Sequence, residues 1–487
     1  MNYEPIIGLE VHIELETKSK MFCSCSAGYF NAKPNTHTCP VCLGLPGAIP
    51  VANKKAIEYA QKFGIAIGCD LLLKSKFDRK NYFYPDLAKG FQISQYELPF
   101  SHKGAIEITV DGKVKRIGIT RAHLEEDTGK LTHAQIKGKK VTLIDFNRSG
   151  VPLLEIVSEP DMKSALEAKA YAQKLQQIAR YLKVSSADME EGSMRIEPNV
   201  SLRRVSKSQR AKVSKLPDYK VELKNINSFR FAQKAINFEI ERQSKLLDKG
   251  EKVSQETRGW NEKENKTVSQ RSKEEAHDYR YFPEPDLPPL SFTSSRKAEI
   301  TMTIPELPDE KFERFKKQYK LSQVDAQILT ADQKIADFFE EANKAYRKKD
   351  PKKVANWITG ELLRRLNEQG KSISEIELLP ASLAELLYLI DKGDITQNQA
   401  KEVFEQMIRI GKGAQLVIKT LGVQQMTQLD LQKLVNKIIA QNNKAVDDFK
   451  VGKVASLGFL IGQIQREAKG QADANLAKNL LLEKLKK

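Results

Sequence analysis

Residues 9–16 alternate strictly between aliphatic and polar side chains. The aliphatic members are Leu9, Val11, Ile13 and Leu15, and the polar members are Glu10, His12, Glu14 and Glu16. Because successive side chains of a β-strand point to opposite faces, this run predicts a strand with one buried face and one acidic face. Two interpretations of the acidic face stay open. It lies in solvent, or it binds a divalent cation, for which carboxylate oxygens and a neutral imidazole are suitable ligands.

The length and charge of the chain limit the classes of protein to which it can belong. Its 487 residues exceed what one hydrophobic core usually organises, so we expect two to four domains. The sequence contains no apolar run long enough for a bilayer span and no secretory signal, so a cytoplasmic location is expected. The formal net charge of +17 favours a polyanionic partner such as RNA, although a lysine-rich proteome would produce the same charge.

Four of the five cysteines lie close together, at Cys23, Cys25, Cys39 and Cys42. In a cytosolic chain this spacing predicts a four-cysteine zinc site and not a pair of disulfides. The second pair is typical of a zinc knuckle, which we place at about residues 20–45. Four thiolates leave no open coordination position, so the expected role of the zinc is structural.

Composition and periodicity divide the chain into three regions. Residues 1–293 mix strand-like alternation with helical periodicity, which predicts an α+β domain whose sheet lines a cleft. Residues 294–410 are predicted to form helices, including one over 323–347, and a Gly411-Lys412-Gly413 hinge precedes a basic helical tail over 411–487.

Four further strand-like segments of the first region contain acids, which are Glu125, Glu155, Glu197 and Glu222. Glu155 lies inside an otherwise apolar run, where an ionised carboxylate is costly unless it is paired or bound to a metal. For each segment alone, a solvated strand face is the alternative. Together with the first strand, these segments give one domain five acidic strand faces. So many acidic faces favour a common site lined by these acids over five separate solvated faces.

Residues 77–86 combine cations with aromatic side chains. Arg79 and Lys80 can neutralise phosphate, while Tyr82 can stack on a base or simply pack the loop. The sequence has no Walker A loop, no G-x-G-x-x-G and no G-x-S-x-G. These observations favour attack of a carboxylate on metal-bound ATP over hydrolysis by an enzyme nucleophile.

Eight segments of the chain together resemble the B subunits of bacterial aspartyl/glutamyl-tRNA amidotransferases. They are residues 7–13, 77–86, 118–127, 145–156, 189–195, 223–229, 278–286 and 458–463. The matching segments follow the family's order through the whole chain. The resemblance implies an antiparallel-sheet cradle similar to the glutamine synthetase/guanido kinase fold, followed by an all-α domain and a small α-helical tail domain.

The same resemblance implies an ATP-dependent ligase that acts on misacylated Glu-tRNA(Gln), Asp-tRNA(Asn) or both. The side-chain carboxylate of the tRNA-bound amino acid would be phosphorylated and then amidated with ammonia. The implied partners are an amidase-type A subunit that supplies ammonia, a small C subunit, the tRNA, and the non-discriminating aminoacyl-tRNA synthetase. The helical domain and the basic tail would hold the tRNA.

The resemblance also implies roles for individual residues. The implied catalytic Mg²⁺ ligands are Glu10, His12, Glu125 and Glu155, with Glu197 as a further metal ligand. The implied ATP-binding residues are Lys80, Tyr82, Arg195 and Glu222. Glu197 departs from the family, which more often has Asp at this position, and the four zinc cysteines are not universal in the family.

Two rival functions follow from the same residues. In the first, the chain is a zinc-clipped, non-catalytic tRNA-binding scaffold whose acids are structural. In the second, it is an ammonia ligase for a free amino acid, which the basic tail disfavours.

Overall fold

The structure is a computed structural model that describes residues 3–205, 216–272, 279–422, 426–468 and 471–485. Asp278, the first residue of one segment of the family resemblance, lies outside the described residues. The chain divides into two compact units, one reaching Leu307 and the other beginning at Pro308. The boundary predicted from composition and periodicity lies near residue 293.

The described part of the first unit contains sixteen strands. The first eight are β1 (Tyr3–Glu14), β2 (Asp70–Leu71), β3 (Lys74–Ser75), β4 (Asp78–Asn81), β5 (Phe91–Ser94), β6 (Ser101–Val110), β7 (Lys113–Glu126) and β8 (Lys130–Ile136). The last eight are β9 (Lys139–Asp145), β10 (Pro152–Ser158), β11 (Met194–Arg204), β12 (Val221–Lys224), β13 (Glu256–Asn261), β14 (Lys266–Ser272), β15 (Phe282–Pro283) and β16 (Leu290–Ser291).

Nine of these strands form one sheet in the order β14-β13-β12-β11-β1-β10-β7-β6-β2. Neighbouring strands run antiparallel except for β12 and β13, which run parallel. The five strands with acidic faces, β12, β11, β1, β10 and β7, are consecutive in this order. The first strand of the chain therefore lies at the centre of the acidic group, with two acidic strands on each side.

The sheet has one apolar face, which packs against helices α1 (Lys54–Ala66), α2 (Ala165–Tyr181) and α3 (Phe229–Asp248). The aliphatic side chains of β1 are buried in this core, and Leu9, Val11 and Ile13 are at most 1% exposed. A serine hydroxyl caps the first turn of both long helices, as Ser164 does for α2. A short helix, α4 (Arg296–Thr301), packs against α1.

The second unit is helical throughout its described residues. Its helices are α5 (Pro308–Gln318), α6 (Gln323–Thr330), α7 (Gln333–Ala345), α8 (Pro351–Asn356), α9 (Leu363–Gln369), α10 (Pro380–Lys392), α11 (Gln397–Ile410), α12 (Ala414–Leu421), α13 (Gln428–Gln441), α14 (Asn443–Lys450), α15 (Ala455–Glu467) and α16 (Ala474–Leu485). A π-helical turn, Trp357–Leu362, joins α8 to α9. The expected α+β first region followed by helices is confirmed.

The run expected as one helix over 323–347 forms two helices. Asp332 separates α6 from α7, and its carboxylate accepts hydrogen bonds from the amides of Lys334 and Ile335. Aspartate at this place is a strong N-cap signal, which the apolar periodicity obscures. Among the described residues, no helix combines the length and apolar character that a membrane crossing requires.

Candidate functional site

The register of the central strands brings the acidic side chains together on the polar face of the sheet. Glu10 lies opposite Glu197 on β11, and His12 lies opposite Glu155 on β10. One strand further out, Asn199 on β11 lies opposite Glu222 on β12. Residues directly opposite one another in an antiparallel pair share a face and lie within side-chain contact distance. The acids predicted from five separate segments therefore line one surface.

These acids form two groups, each with its potential ligand atoms within 4.8 Å of one another. We call His12, Glu125 and Glu155 the histidine triad, and Glu10, Glu197 and Glu222 the carboxylate triad. Glu10 was expected to join His12 in one ligand set, whereas the geometry places Glu10 among the carboxylates of β11 and β12.

In the histidine triad, His12 Nε2 lies 3.5 Å from Glu155 and 3.6 Å from Glu125. Glu155 also lies 3.3 Å from His123 Nε2. Burial lowers the pKa of His12, but Glu155 and Glu125 outweigh this effect and raise it to about 9. Burial raises the pKa of Glu155, but His123 and His12 hold it well below its usual range. In the triad by itself, the protonated imidazole of His12 lies between the carboxylates of Glu125 and Glu155.

The carboxylate triad is more accessible and consists of oxygen ligands alone. Asn199 Nδ2 donates to Glu10 at 3.0 Å, and Lys224 Nζ lies 3.1 Å from Glu197. Burial and the nearby Glu155 raise the pKa of Glu10. The buried Oδ1 of Asn199 has no hydrogen-bond partner in the described residues. Crowded carboxylates beside a free oxygen acceptor are a donor set that fits Mg²⁺.

A cavity of about 370 Å³ adjoins the carboxylate triad. It is lined by Glu10 of this triad, by Asn199, which donates to Glu10, and by residues that include Gly8, Ser158, Tyr219 and Lys220. Its volume falls within the range of small-molecule pockets, which is about 300–1,000 Å³. The cavity is therefore of a size to hold a small molecule beside these acids.

Lys80 lies close to the histidine triad. Burial lowers its pKa, but Glu125, Tyr281 and Glu155 outweigh this effect and raise the pKa above its ordinary value. Its ammonium lies 5.8 Å from the ring centre of Tyr82, so that ring flanks a fixed cation. Arg79, the adjacent residue, is held by Glu284 through hydrogen bonds of 2.7 and 2.9 Å and does not join this group.

Arg195 lies on β11 directly opposite His12. Its guanidinium donates to Asp127 at 2.8 Å and lies 3.8 Å from Glu14. Burial raises the pKa of Asp127, but Arg148 and Arg195 hold it well below its usual range. Burial and Asp127 raise the pKa of Glu14 to about 8. Arg195 therefore belongs to a charge network of its own beside the histidine triad.

Several residues that contact the triads were not predicted from the sequence, and besides Ser94, Lys220 and Thr257 they include His123 and Lys224. His123 contacts Glu155, and Lys224 contacts Glu197 and Glu222. Both residues lie two positions from a predicted site acid on the same strand, and that spacing puts them on the same face. The alternation of side chains along these two strands could therefore have identified His123 and Lys224 from the sequence.

The four clustered cysteines are free thiols whose sulfur atoms lie within 4.8 Å of one another. The sulfurs of Cys39 and Cys42 are 3.9 Å apart. Zinc–sulfur bonds of about 2.3 Å place the sulfurs of a tetrahedral site about 3.8 Å apart, so the cluster fits zinc. A hydrogen bond from Cys23 is the main cause that lowers the pKa of Cys42 to about 4.

The chain matches known proteins along its whole length. The family described as the GatB/GatE catalytic domain matches residues 5–298, and the GatB domain matches residues 337–485. The chain is 51% identical over 488 residues to the B subunit of the aspartyl/glutamyl-tRNA(Asn/Gln) amidotransferase of Thermoanaerobacter pseudethanolicus, with 100% of both chains covered. It is 50% identical over 487 residues to the corresponding B subunit of Carboxydothermus hydrogenoformans, with 100% of this chain and 99% of the relative covered.

Proposed function

The chain belongs to the family of aspartyl/glutamyl-tRNA(Asn/Gln) amidotransferase B subunits, and on this premise we propose that it amidates Glu-tRNA(Gln), Asp-tRNA(Asn) or both. The γ-phosphoryl group of ATP passes to the side-chain carboxylate of the tRNA-bound amino acid, and ADP leaves. Ammonia then attacks the carbonyl carbon of this acyl phosphate, phosphate leaves, and an amide remains. The observation that supports this reaction best is the gathering of two acidic triads and Lys80 on one sheet face.

The two triads have different roles in this proposal. The carboxylate triad would hold Mg²⁺ beside the adjoining cavity, where the nucleotide would lie. The histidine triad would hold a second cation through His12, Glu125 and Glu155. A bound Mg²⁺ neutralises phosphate charge, so that an anionic carboxylate can approach the γ-phosphate.

The chain's own cations complete the site. Lys80 lies beside Glu125 and Glu155 and would contact phosphate oxygens at the reacting end of the nucleotide. The aromatic rings of Tyr82 and Tyr279 flank the Lys80 ammonium. Arg195 is bound to Asp127, and it would contribute positive charge on the strand next to His12 without leaving that partner.

The remaining parts of the proposal follow the family. Residues 1–293 would form the catalytic cradle, similar to the glutamine synthetase/guanido kinase fold, with 294–410 and 411–487 as the helical and tRNA-binding tail domains. An amidase-type A subunit would supply ammonia and a small C subunit would complete a heterotrimer, with tRNA and the non-discriminating synthetase as further partners. Zinc at the four cysteines would be structural, and the reaction would take place in the cytoplasm.

The test is the conversion of Glu-tRNA(Gln) to Gln-tRNA(Gln) by the assembled complex. Ammonium chloride replaces glutamine, so that the glutaminase step is bypassed. Wild type is compared with Glu10→Gln and with the control Glu16→Gln, whose exposed side chain lies just beyond the end of β1. We expect Glu10→Gln to lose at least about 100-fold in rate, because it removes a charge that acts in the transition state.

The binding of tRNA separates the proposed enzyme from the scaffold. Glu10→Gln should bind tRNA as wild type does, and Glu16→Gln should keep both binding and activity. If Glu10→Gln amidates as fast as Glu16→Gln, the polar face is not the kinase site and the zinc-clipped scaffold is the better description.

A further inference from the structure

Lys20 is a fully buried lysine beside the cysteine cluster. Its exposed fraction is 0%. Its ammonium donates to the carbonyl oxygens of His37 at 2.7 Å and Phe146 at 3.4 Å, and to Cys42 Sγ at 3.6 Å. All three ammonium hydrogens therefore have acceptors. A lysine that is completely removed from water is rare, because its charge must be compensated nearby.

The compensating charge comes from sulfur. Two of the three acceptors of Lys20 are neutral carbonyls, so Cys42 is the partner that can be negative. Four cysteine thiolates around one Zn²⁺ carry a net charge of −2, which is also costly to bury. A buried ammonium in contact with one of these sulfurs reduces both costs together.

Lys20 also connects the cluster to residues 146–151, which we call the strap because they join β9 to β10. Its ammonium contacts the carbonyl of Phe146, and the hydroxyl of Ser149 donates to the carbonyl of Cys42 at 3.3 Å. A Cβ at Gly150 would lie 3.4 Å from both Lys20 and Cys42. The strap therefore packs directly on the lysine and the cysteine.

The strap reaches the edge of the polar face. Arg148 donates to the carbonyls of Thr128 at 3.0 Å and Gly129 at 2.8 Å, and it lies 3.7 Å from Asp127. Asp127 in turn accepts from Arg195. The strap is thus linked to the Asp127–Arg195 pair through Arg148.

We propose that Lys20 is a positioning residue of the zinc site, whose ammonium offsets the negative charge of the zinc–thiolate cluster and ties that cluster to the strap. Lys20 is not a metal ligand, because its ammonium has no lone pair while it donates three hydrogen bonds. This inference depends on the zinc-binding part of the proposed function.

The test measures zinc affinity of the full chain by competition with a chromophoric chelator. Wild type is compared with Lys20→Met, whose unbranched side chain is one atom shorter and has no charge. The matched control is Lys18→Met, because Lys18 is exposed and only two residues away. We expect Lys20→Met to bind zinc about 10- to 100-fold more weakly, as for other groups that support metal ligands, and Lys18→Met to match wild type.

A spectroscopic measurement separates this role from general packing. With Co²⁺ in place of zinc, the sulfur-to-cobalt charge-transfer band should move to lower energy in Lys20→Met, because the sulfur of Cys42 loses a positive neighbour. If Lys20→Met does not fold, Lys20→Gln replaces it, since glutamine can donate a hydrogen bond but has no charge.

The outcomes are distinct. If wild type binds no zinc, the zinc site itself is wrong and the role of Lys20 fails with it. If wild type binds zinc and the lysine variant matches it within twofold with an unshifted cobalt band, the zinc site stands and the role of Lys20 is refuted. Weaker binding with a shifted band supports the inference.

Discussion

Each of the two units contains a cluster of charged side chains, but the charge balance of the clusters differs. In the helical unit, Glu361 is paired with Arg365 at 2.6 Å, Lys401 at 2.8 Å and Arg364 at 3.0 Å. On the polar face of the first unit, the three acids of the carboxylate triad have only two lysines within 4 Å among the described residues, Lys224 and Lys220. Three cations surround one acid in the helical unit, whereas three acids share two cations in the carboxylate triad.

This difference distinguishes a structural ion-pair network from a site. A carboxylate surrounded by cations is satisfied within the fold and needs no ligand. An excess of carboxylates destabilises the fold through charge repulsion. Binding of a cation removes this repulsion and therefore raises the free energy of unfolding. Four predictions test this contrast, in order of decreasing size.

The strongest change should be in activity. We expect Glu155→Gln to reduce ammonium-dependent amidation by about 10³-fold, which is about 4 kcal/mol, because a neutral amide lacks the negative charge that offsets the charge of a bound cation. Glu361→Gln should amidate within about twofold of wild type at a temperature where both variants are folded, because structural ion pairs do not act on the reaction. Equal losses in the two variants would remove the distinction between the clusters.

The second prediction concerns stability of the helical unit. Glu361→Gln should lower its free energy of unfolding by about 3 kcal/mol, because Arg365, which is 6% exposed, keeps a buried charge without its main partner. The chain has two tryptophans, so in a Trp260→Phe background Trp357 reports this unit alone in urea denaturation. The control Glu368→Gln removes an exposed partner of Arg364 and should change the free energy by less than about 0.5 kcal/mol.

The third prediction concerns the metal. Mg²⁺ at ten times its dissociation constant should stabilise the catalytic unit by about 1.4 kcal/mol. In a Trp357→Phe background, Trp260 of the first core reports this unit. The helical unit, followed through Trp357, should not respond. Glu222→Gln should abolish the shift, and a shift that persists would place the Mg²⁺ site away from the carboxylate triad.

The fourth prediction is a pH dependence of the helical unit. Burial raises the pKa of Glu361, but Lys401, Arg364 and Arg365 outweigh this effect and lower it from 4.5 to about 2. Because the folded pKa lies below the unfolded one, the stabilisation is present above about pH 4.5 and is lost as pH falls towards 2. From pH 5 to 3.5 the loss should be about 1 kcal/mol.

The matched comparison for this pH effect is Glu361→Gln. Urea denaturation followed through Trp357 at both pH values should give a smaller drop in the variant, because its amide does not titrate. If both proteins lose the same free energy, Glu361 does not have a depressed pKa.

Local patterns in the chain were enough to predict the local features of the fold. The alternation of residues 9–16 predicted that Leu9, Val11 and Ile13 of β1 are buried, because strand geometry fixes the face of each residue, whereas the burial of Glu14 was not predicted. The spacing of the four cysteines predicted their cluster, since Cys23 and Cys42 are close along the chain. The family was also evident before the fold was known.

The grouping of the site residues, in contrast, depends on long-range pairing. Glu10 lies with Glu197 and Glu222, and not with His12, because the register of β1 against β11 is a pairing that no local pattern encodes. No sequence pattern indicated that Lys20 is buried, since its burial depends on a strap more than a hundred residues away along the chain.

Arg79 and Lys80 show most simply why local sequence patterns do not identify every site residue. They are adjacent, both are basic, and the pattern of residues 77–86 made them equal candidates for phosphate contact. Successive residues of β4 point to opposite faces, so Lys80 reaches the histidine triad while Arg79 binds Glu284. Alternation alone requires the two side chains to diverge. Which of them faces the acids depends on how β4 is placed against the sheet, and that placement arises from contacts with residues distant in the chain.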